Sequence, residues 1–355
     1  VALDGEYVLP LRWQDDRELD ELTGYLRRLS RWLPVTVVDG SPPGLFEAHG
    51  RAWAGLVRHL RPEPRGGANG KVAGVVTGVR AARSERVVLA DDDVRYDRPA
   101  VERVLALLEE KDVVRPQNVF RPQPWHARWD TGRTLLNRSV AADYPGTFGI
   151  RRSTFLAMGG YSGDVLFENL EMVRTARAHG AREHRAGDLF VVRRPPTAAH
   201  FWSQRVRQAY DDLAQPWRLA GSLAAWPFVV HAVVRRRGRR LAVAASAVVL
   251  AADIGRRRAG GRAAFPRTAP LWAPVWVLER GLCSWIALGA RVLRGGVRYG
   301  DGRLRTAAHS PARLRRNART TVPLPALDPE AGGADPPHAA PAGAGPARSG
   351  SVPRG

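Results

Sequence analysis

The sequence predicts an α/β fold over residues 1–215, followed by a helical, apolar region, and three observations lead there. A short apolar run, Arg86-Val87-Val88-Leu89-Ala90, stops on three consecutive carboxylates, Asp91-Asp92-Asp93. Strand-like, helical and strand-like stretches come before it, the last ending on Asp39. Beyond Pro216, apolar segments alternate with clusters of arginine.

In chain order, Tyr7-Val8-Leu9-Pro10-Leu11 reads as a first strand, and Leu19, Leu22, Leu26 and Leu29 follow at helical spacing. Pro34 resets the chain into a second strand, Val35 to Asp39, closed by Gly40-Ser41. An acid at that point of a nucleotide-binding α/β unit commonly reaches a ribose or base. Asp-Gly-Ser is equally ordinary turn chemistry. Gly66-Gly67-Ala68-Asn69-Gly70-Lys71 then leads into a helix from Val72 to Ala82. Lys71, at the start of that helix, is suited to a phosphate. It is not a P-loop lysine, because Val72 stands where Ser or Thr is required.

The acidic strand comes next. An apolar run of this length suits a strand buried on both faces of a sheet. Its acids then sit at the C-terminal edge, where open α/β sheets bind ligands. Crowded carboxylates repel one another unless a cation or proton compensates them, and Asp91 and Asp93 are spaced to offer oxygens to Mg²⁺ or Mn²⁺. A solvated acidic turn is the competing reading. An amphipathic helix from Ala100 to Glu110 and a strand at Val113-Val114 follow.

Composition bounds what such a site belongs to. A chain of 355 residues, 44% hydrophobic, holds about two domains. A net charge of +21 argues for an anionic partner, nucleic acid or an acidic membrane surface. The single cysteine, Cys283, rules out an intramolecular disulfide framework. No basic-then-apolar leader opens the chain, so the catalytic part is expected on the cytoplasmic face of the cell membrane.

The order of second-strand Asp39, the Gly70-Lys71 helix and Val87-Val88-Leu89-Ala90-Asp91-Asp92-Asp93 resembles the N-terminal half of a family 2 glycosyltransferase with the GT-A fold. The resemblance implies that a nucleotide-sugar donor is held by Pro10, Asp39, Lys71, Asp91 and Asp92, with a divalent metal on Asp91 and Asp93. It continues through Pro145 to Arg152 and Gly159-Gly160-Tyr161 into Phe167-Glu168-Asn169-Leu170-Glu171. The family usually has Glu-Asp there as the base for the acceptor hydroxyl. This chain has Glu-Asn, so Glu168 is the first choice, with Asp164 and Glu171 behind it. Glu171 also suits a plain acidic helix start. Gln204-x-x-Arg207 resembles the Q-x-x-R-W motif of membrane-associated members, with Gln208 in place of the Trp, and implies a brace for the diphosphate. Trp202 or Tyr210 then has to supply any stacking on the acceptor.

Between Pro116 and Pro145, aromatic and polar residues, Trp129 and Asp130 among them, suit a sugar or lipid-headgroup surface. A single-stranded nucleic acid would use the same residue types. His179, Glu183 and His184 lack zinc-ligand spacing and read as solvated surface.

Past Pro216, the stretches Leu219 to Val234, Leu241 to Ala252 and Thr268 to Ala290 are apolar, but none is a clean run of ~20 residues. With Arg235-Arg236-Arg237-Gly238-Arg239-Arg240 and Arg256-Arg257-Arg258 beside them, they fit short interfacial or re-entrant helices on anionic lipid. Gly295 to Gly300 resembles the turn that closes membrane-associated members. The expected organisation is a GT-A catalytic domain over 1–215, a membrane-associating helical region over 216–305, and a basic, then Pro/Ala/Gly-rich disordered tail over 306–355. The expected activity is metal-dependent, inverting transfer of a sugar to a lipid or glycan-precursor acceptor, without nucleic acid. The alternatives are a sugar-phosphate nucleotidyltransferase and a basic nucleic-acid- or anionic-lipid-binding protein without catalysis.

Overall fold

The protein is described by a computed structural model covering residues 2–299 and 302–327. Its strands are β1 Glu6–Leu11, β2 Val35–Asp39, β3 Arg58–Leu60, β4 Arg86–Ala90, β5 Val94–Arg95, β6 Val113–Phe120, β7 Thr147–Arg151, β8 Glu183–Arg193, β9 Val297–Tyr299 and β10 Gly302–Leu304. The helices of the first part are α1 Leu19–Leu29, α2 Pro43–Ala52, α3 Gly70–Ala81, α4 Arg98–Leu107, α5 Trp125–Val140, α6 Arg152–Ala157, α7 Glu168–Ala178 and α8 Ala198–Tyr210. Those of the second are α9 Pro216–Val234, α10 Gly238–Arg257, α11 Gly261–Ala264, α12 Ala273–Leu293 and α13 Pro311–Ala318.

Eight strands form one mixed sheet in the order β3-β2-β1-β4-β7-β6-β8-β5. The β3-β2-β1-β4 half is parallel, and the sense reverses where β4 meets the antiparallel β7. That reversal sets the site, because the C-terminal end of β4 opens beside the start of β7. One core lies on the α1 and α4 face, with Tyr7, Leu22, Leu26, Val88 and Val101. The other lies on the α3 face, with Val8, Val75, Val79, Leu89 and Phe155. The expected α/β domain with a helical C-terminal region is what the chain forms.

Several expectations change. The stretch after Pro116 completes β6 and builds α5, 16 residues long. Glu183 and His184 start β8, paired with β6, and are half-buried rather than lying on open surface. The apolar segments after Pro216 are not short, since α9, α10 and α12 run 19, 20 and 21 residues, α9 passing straight through Pro227. By length and composition α9 is apolar enough to cross a membrane, as no other helix among the described residues is. The disordered tail expected from residue 306 begins with ordered chain instead. Leu314 of α13 is buried, α13 packs on α7, and Leu324 N–H donates to Leu156 C=O at 2.9 Å. Residues 328–355, the rest of that expectation, lie outside the described residues.

Helix α3 owes its closeness to the sheet to glycine. A Cβ on Gly78 would come within 2.3 Å of Val8 Cγ1 and 3.1 Å of Val38 Cγ2. Valine cannot swing away within a strand, so Gly78→Val should destabilise the fold by at least ~2 kcal/mol through overpacking. A urea titration checks this, and an unchanged midpoint would contradict it.

Candidate active site

A cleft of about 1100 Å³ opens along the C-terminal ends of β1, β2 and β4 and continues between α7, α8, α9 and α12. At its centre, Lys71 bridges two acids. Its Nζ lies 2.6 Å from Asp91 Oδ1 and 2.7 Å from Glu168 Oε1. Burial opposes the charge on Lys71, but the two carboxylates outweigh it and hold the ammonium well above the ordinary lysine range. Asn69 sets this geometry. Its side chain caps α3 by accepting from Lys71 N–H, donates to Val165 C=O at 3.1 Å, and accepts from Tyr299 Oη at 3.0 Å.

The three acids after β4 divide. Asp92 accepts from Trp13 Nε1 at 2.5 Å, so its carboxylate is already engaged. Asp93 meets Arg193 Nε at 2.8 Å, while Asp91 Oδ2 lies 3.7 Å from Arg193. Burial is the main cause that pushes the Asp93 carboxyl up to about 6; Arg193 opposes it and the neighbouring aspartates reinforce it. Asp93 Oδ1 is shut off from solvent with no hydrogen-bond partner. The backbone also leaves room beside Asp91, since a Cβ on Gly146 would sit 2.6 Å from Asp91 Oδ2. An orphaned carboxylate oxygen, a second carboxylate and a bare glycine fit a hard divalent cation on Asp91 and Asp93.

Of the three acids expected as base, only Glu168, the first residue of α7, lines the cleft. Glu171 is fully buried and receives His309 N–H at 2.8 Å and His309 Nδ1 at 2.6 Å, which pins the segment before α13 onto α7. Asp164 is exposed on the loop before α7 and lies outside the cleft lining.

Asp39 does not face the cleft. Its carboxylate has no exposed surface, and it takes Ser41 N–H at 2.9 Å, His49 Nδ1 at 2.6 Å and His59 Nε2 at 3.1 Å. Burial alone would raise its pKa, but these hydrogen bonds hold it far below the usual carboxylate range. Pro10, Gly40, Arg12 and Arg65 line the cleft instead.

Arg207 lines the cleft, with Gln204 Oε1 accepting from its Nε at 2.5 Å; Gln204 itself is not part of the lining. Gln208, where the related motif has Trp, also faces the cleft. Trp129 and Trp202 pack with Trp125 and Phe201 in a surface aromatic cluster outside the lining. Asp130 is buried beneath that cluster, 2.7 Å from Arg205, which also holds Glu279 at 2.6 Å. Among the cleft residues that the sequence does not mark as functional are Arg193, Asp211, Arg280 and Tyr299. Asp211 directly follows the Gln204 to Tyr210 run, which was the available signal; Arg280 and Tyr299 reach the cleft only through tertiary packing.

The family model of glycosyl transferase family 2 matches residues 35–164. No curated protein sequence matches the chain. Among solved structures, the chain is similar to a mannosyltransferase, PcManGT, from Pyrobaculum calidifontis in complex with GDP-Man and Mn²⁺. The identity is 18% over 81% of this chain and 87% of that one, with a TM-score of 0.47. It is also similar to S. aureus TarS 1-349, at 16% identity over 58% of this chain and 64% of that one, TM-score 0.41. A third is GalNAc-T7 with UDP, GalNAc and Mn²⁺, at 13% identity over 56% of this chain and 45% of that one, TM-score 0.39.

If the space beside Asp91 is there for a cation, filling it should weaken metal binding. Gly146→Ala should lower Mn²⁺ affinity about 10- to 100-fold, the range for a disturbed ligand support. Calorimetric titration with Mn²⁺ measures it, and wild-type affinity in the variant would contradict the assignment.

Proposed function

We propose that this chain, whose residues 35–164 match the model of glycosyl transferase family 2, is a nucleotide-sugar-dependent glycosyltransferase that moves the sugar to a hydroxyl of a lipid or glycan-precursor acceptor at an anionic membrane surface, inverting the anomeric carbon. The observation that carries this reading is the cleft itself. Asp91, Asp93, Lys71 and Arg193 crowd its donor end, and one continuous space leads from them to residues of α8, α9 and α12.

At the donor end, Lys71 and Arg193 bring positive charge to a leaving diphosphate, as does Arg207 farther along. A divalent cation held by Asp91 and Asp93 would supply Lewis-acid neutralisation of the same leaving group. On the acceptor side, a cleft carboxylate takes the proton of the attacking hydroxyl. A single displacement of this kind inverts the reacting carbon. The nucleotidyltransferase alternative does not call for a helical wall with exposed apolar outer faces at the far end of the site.

Support for a membrane seat comes from the helices that build this wall. Gln215 and Arg218, at the start of α9, line the cleft, and the rest of α9 turns large apolar side chains outward. Trp217 is 92% exposed, and Val233, Val234, Leu250, Leu282, Trp285 and Leu293 are exposed as well. Arg235 to Arg237, Arg239 and Arg240 stand exposed at the turn between α9 and α10. Apolar faces bordered by arginines match a bilayer with anionic headgroups.

Two experiments test these points. Nucleoside-diphosphate release from a panel of UDP-, GDP- and dTDP-sugars should require Mn²⁺ or Mg²⁺ and be lost in Asp91→Asn; full turnover in chelator-treated protein would sink the metal-dependent reading. In flotation with vesicles containing anionic phospholipid, the full chain should rise with lipid, and Arg236→Glu/Arg237→Glu/Arg239→Glu should reduce the floated fraction severalfold. Equal flotation of the variant, or none by the wild type, would remove the membrane seat.

A further inference from the structure

The carboxylates of the cleft differ in one respect. Asp91, Asp93 and Glu168 face Lys71 or Arg193, Asp92 accepts from Trp13, and Glu63 pairs with Arg80. Asp212 accepts from Ser222 Oγ at 3.3 Å and lies 3.5 Å from Arg218. Asp211 has no such partner among the described residues: its Oδ1 is closed to solvent and accepts no hydrogen bond from them. It opens the 3-10 turn Asp211–Ala214 that follows α8, three residues beyond Gln208, whose Oε1 is likewise closed off and unpartnered. Both residues line the cleft, where α8, α9 and α12 pack together. Buried acceptors without donors are uncommon in folded proteins, and in a cleft they point to a ligand that brings the donor.

We propose that Asp211 receives the proton of the acceptor hydroxyl. The inference rests on the transferase reading above. As the acceptor oxygen bonds to the anomeric carbon, its O–H bond breaks and the proton passes to the Asp211 carboxylate. The bond from that carbon to the diphosphate breaks in the same step, and the electron pair leaves with the nucleoside diphosphate. Asp211 returns the proton to solvent once product has gone. Glu168 is then a positioning residue, holding the Lys71 ammonium beside Asp91.

The charged groups facing Asp211 are Arg207 on α8, Glu168 on α7, Arg280 on α12 and the adjoining Asp212. Burial is the main cause that pushes its carboxyl up to about 7; Glu168 and Asp212 add to this, while Arg207 and Arg280 oppose it. A group that titrates there can both take and release a proton near neutral pH.

The test follows nucleoside-diphosphate release between pH 5 and 9, with Mn²⁺, water as acceptor, and the sugar nucleotide that the wild type turns over fastest. Wild-type kcat should rise through about pH 7, where the carboxyl ionises, and then level off. Asp211→Asn should lower kcat by ~10²–10⁴ with donor KM little changed, and the rise near neutrality should vanish. Formate should restore part of the rate to Asp211→Ala, an effect that a merely structural role would not give. Glu168→Gln should keep the rise near neutrality while its donor KM increases. Wild-type-like kcat in Asp211→Asn, a slow Asp211→Asn that keeps the pH limb, or no effect of formate would each overturn the assignment. If the wild type releases nothing from any sugar nucleotide, the transferase reading itself falls; if it does and Asp211→Asn is unaltered, only Asp211 falls.

Discussion

The Lys71 ammonium, held between Asp91 and Glu168, is the contact on which the site depends. It joins three parts of the chain: the start of α3, the end of β4 and the first residue of α7. A buried ammonium is tolerable only where opposite charge meets it, and removing either partner leaves a charge without compensation. The rest of the local structure serves that placement. Gly78 lets α3 lie against β1 and β2, and Asn69 ties the helix start both to the loop before α7 and to β9. The cleft's centre is thereby fixed by side chains more than 90 residues apart in sequence.

The two ends of the cleft have different origins. The donor end belongs to the sheet edge, where backbone geometry presents the acids and Arg193. The acceptor end is built by helices, and two buried charge groups attach those helices to the α/β domain. Arg205 of α8 joins Asp130 of α5 to Glu279 of α12, and Asp212 gathers Arg218 of α9 and Arg280 of α12. Side chains closed off from water, with partners on three helices, hold a precise arrangement where an apolar contact would allow sliding. Asp211 sits at the junction of these helices, and so it escapes the pairing that the other cleft acids have.

How much of this could be read in the sequence follows from its physics. The strands were legible because parallel strands buried on both faces appear as unbroken apolar runs, as in Val87 to Ala90. Lys71, Asp91, Asp93, Glu168 and Arg207 were legible because each lies at the end of an element or on a recognisable spacing. Helix α5 was hidden because its buried side includes His126, Asp130, Thr131, Thr134 and Arg138, which erase the apolar period. Asp39 read as a nucleotide contact, since nothing marks His49 on α2 and His59 on β3 as its partners. Glu171 likewise read as a helix start, its partner His309 being 138 residues away.

Catalysis as proposed requires Asp91 and Asp93 to hold a divalent cation against a nucleoside diphosphate in this cleft. Calorimetric titration of the wild-type chain with UDP and with GDP, in Mn²⁺ and in chelator, tests it most directly. At least one of the two should bind at least tenfold more tightly with Mn²⁺ than without. Equal affinity in both conditions, or no binding of either in Mn²⁺, would contradict it.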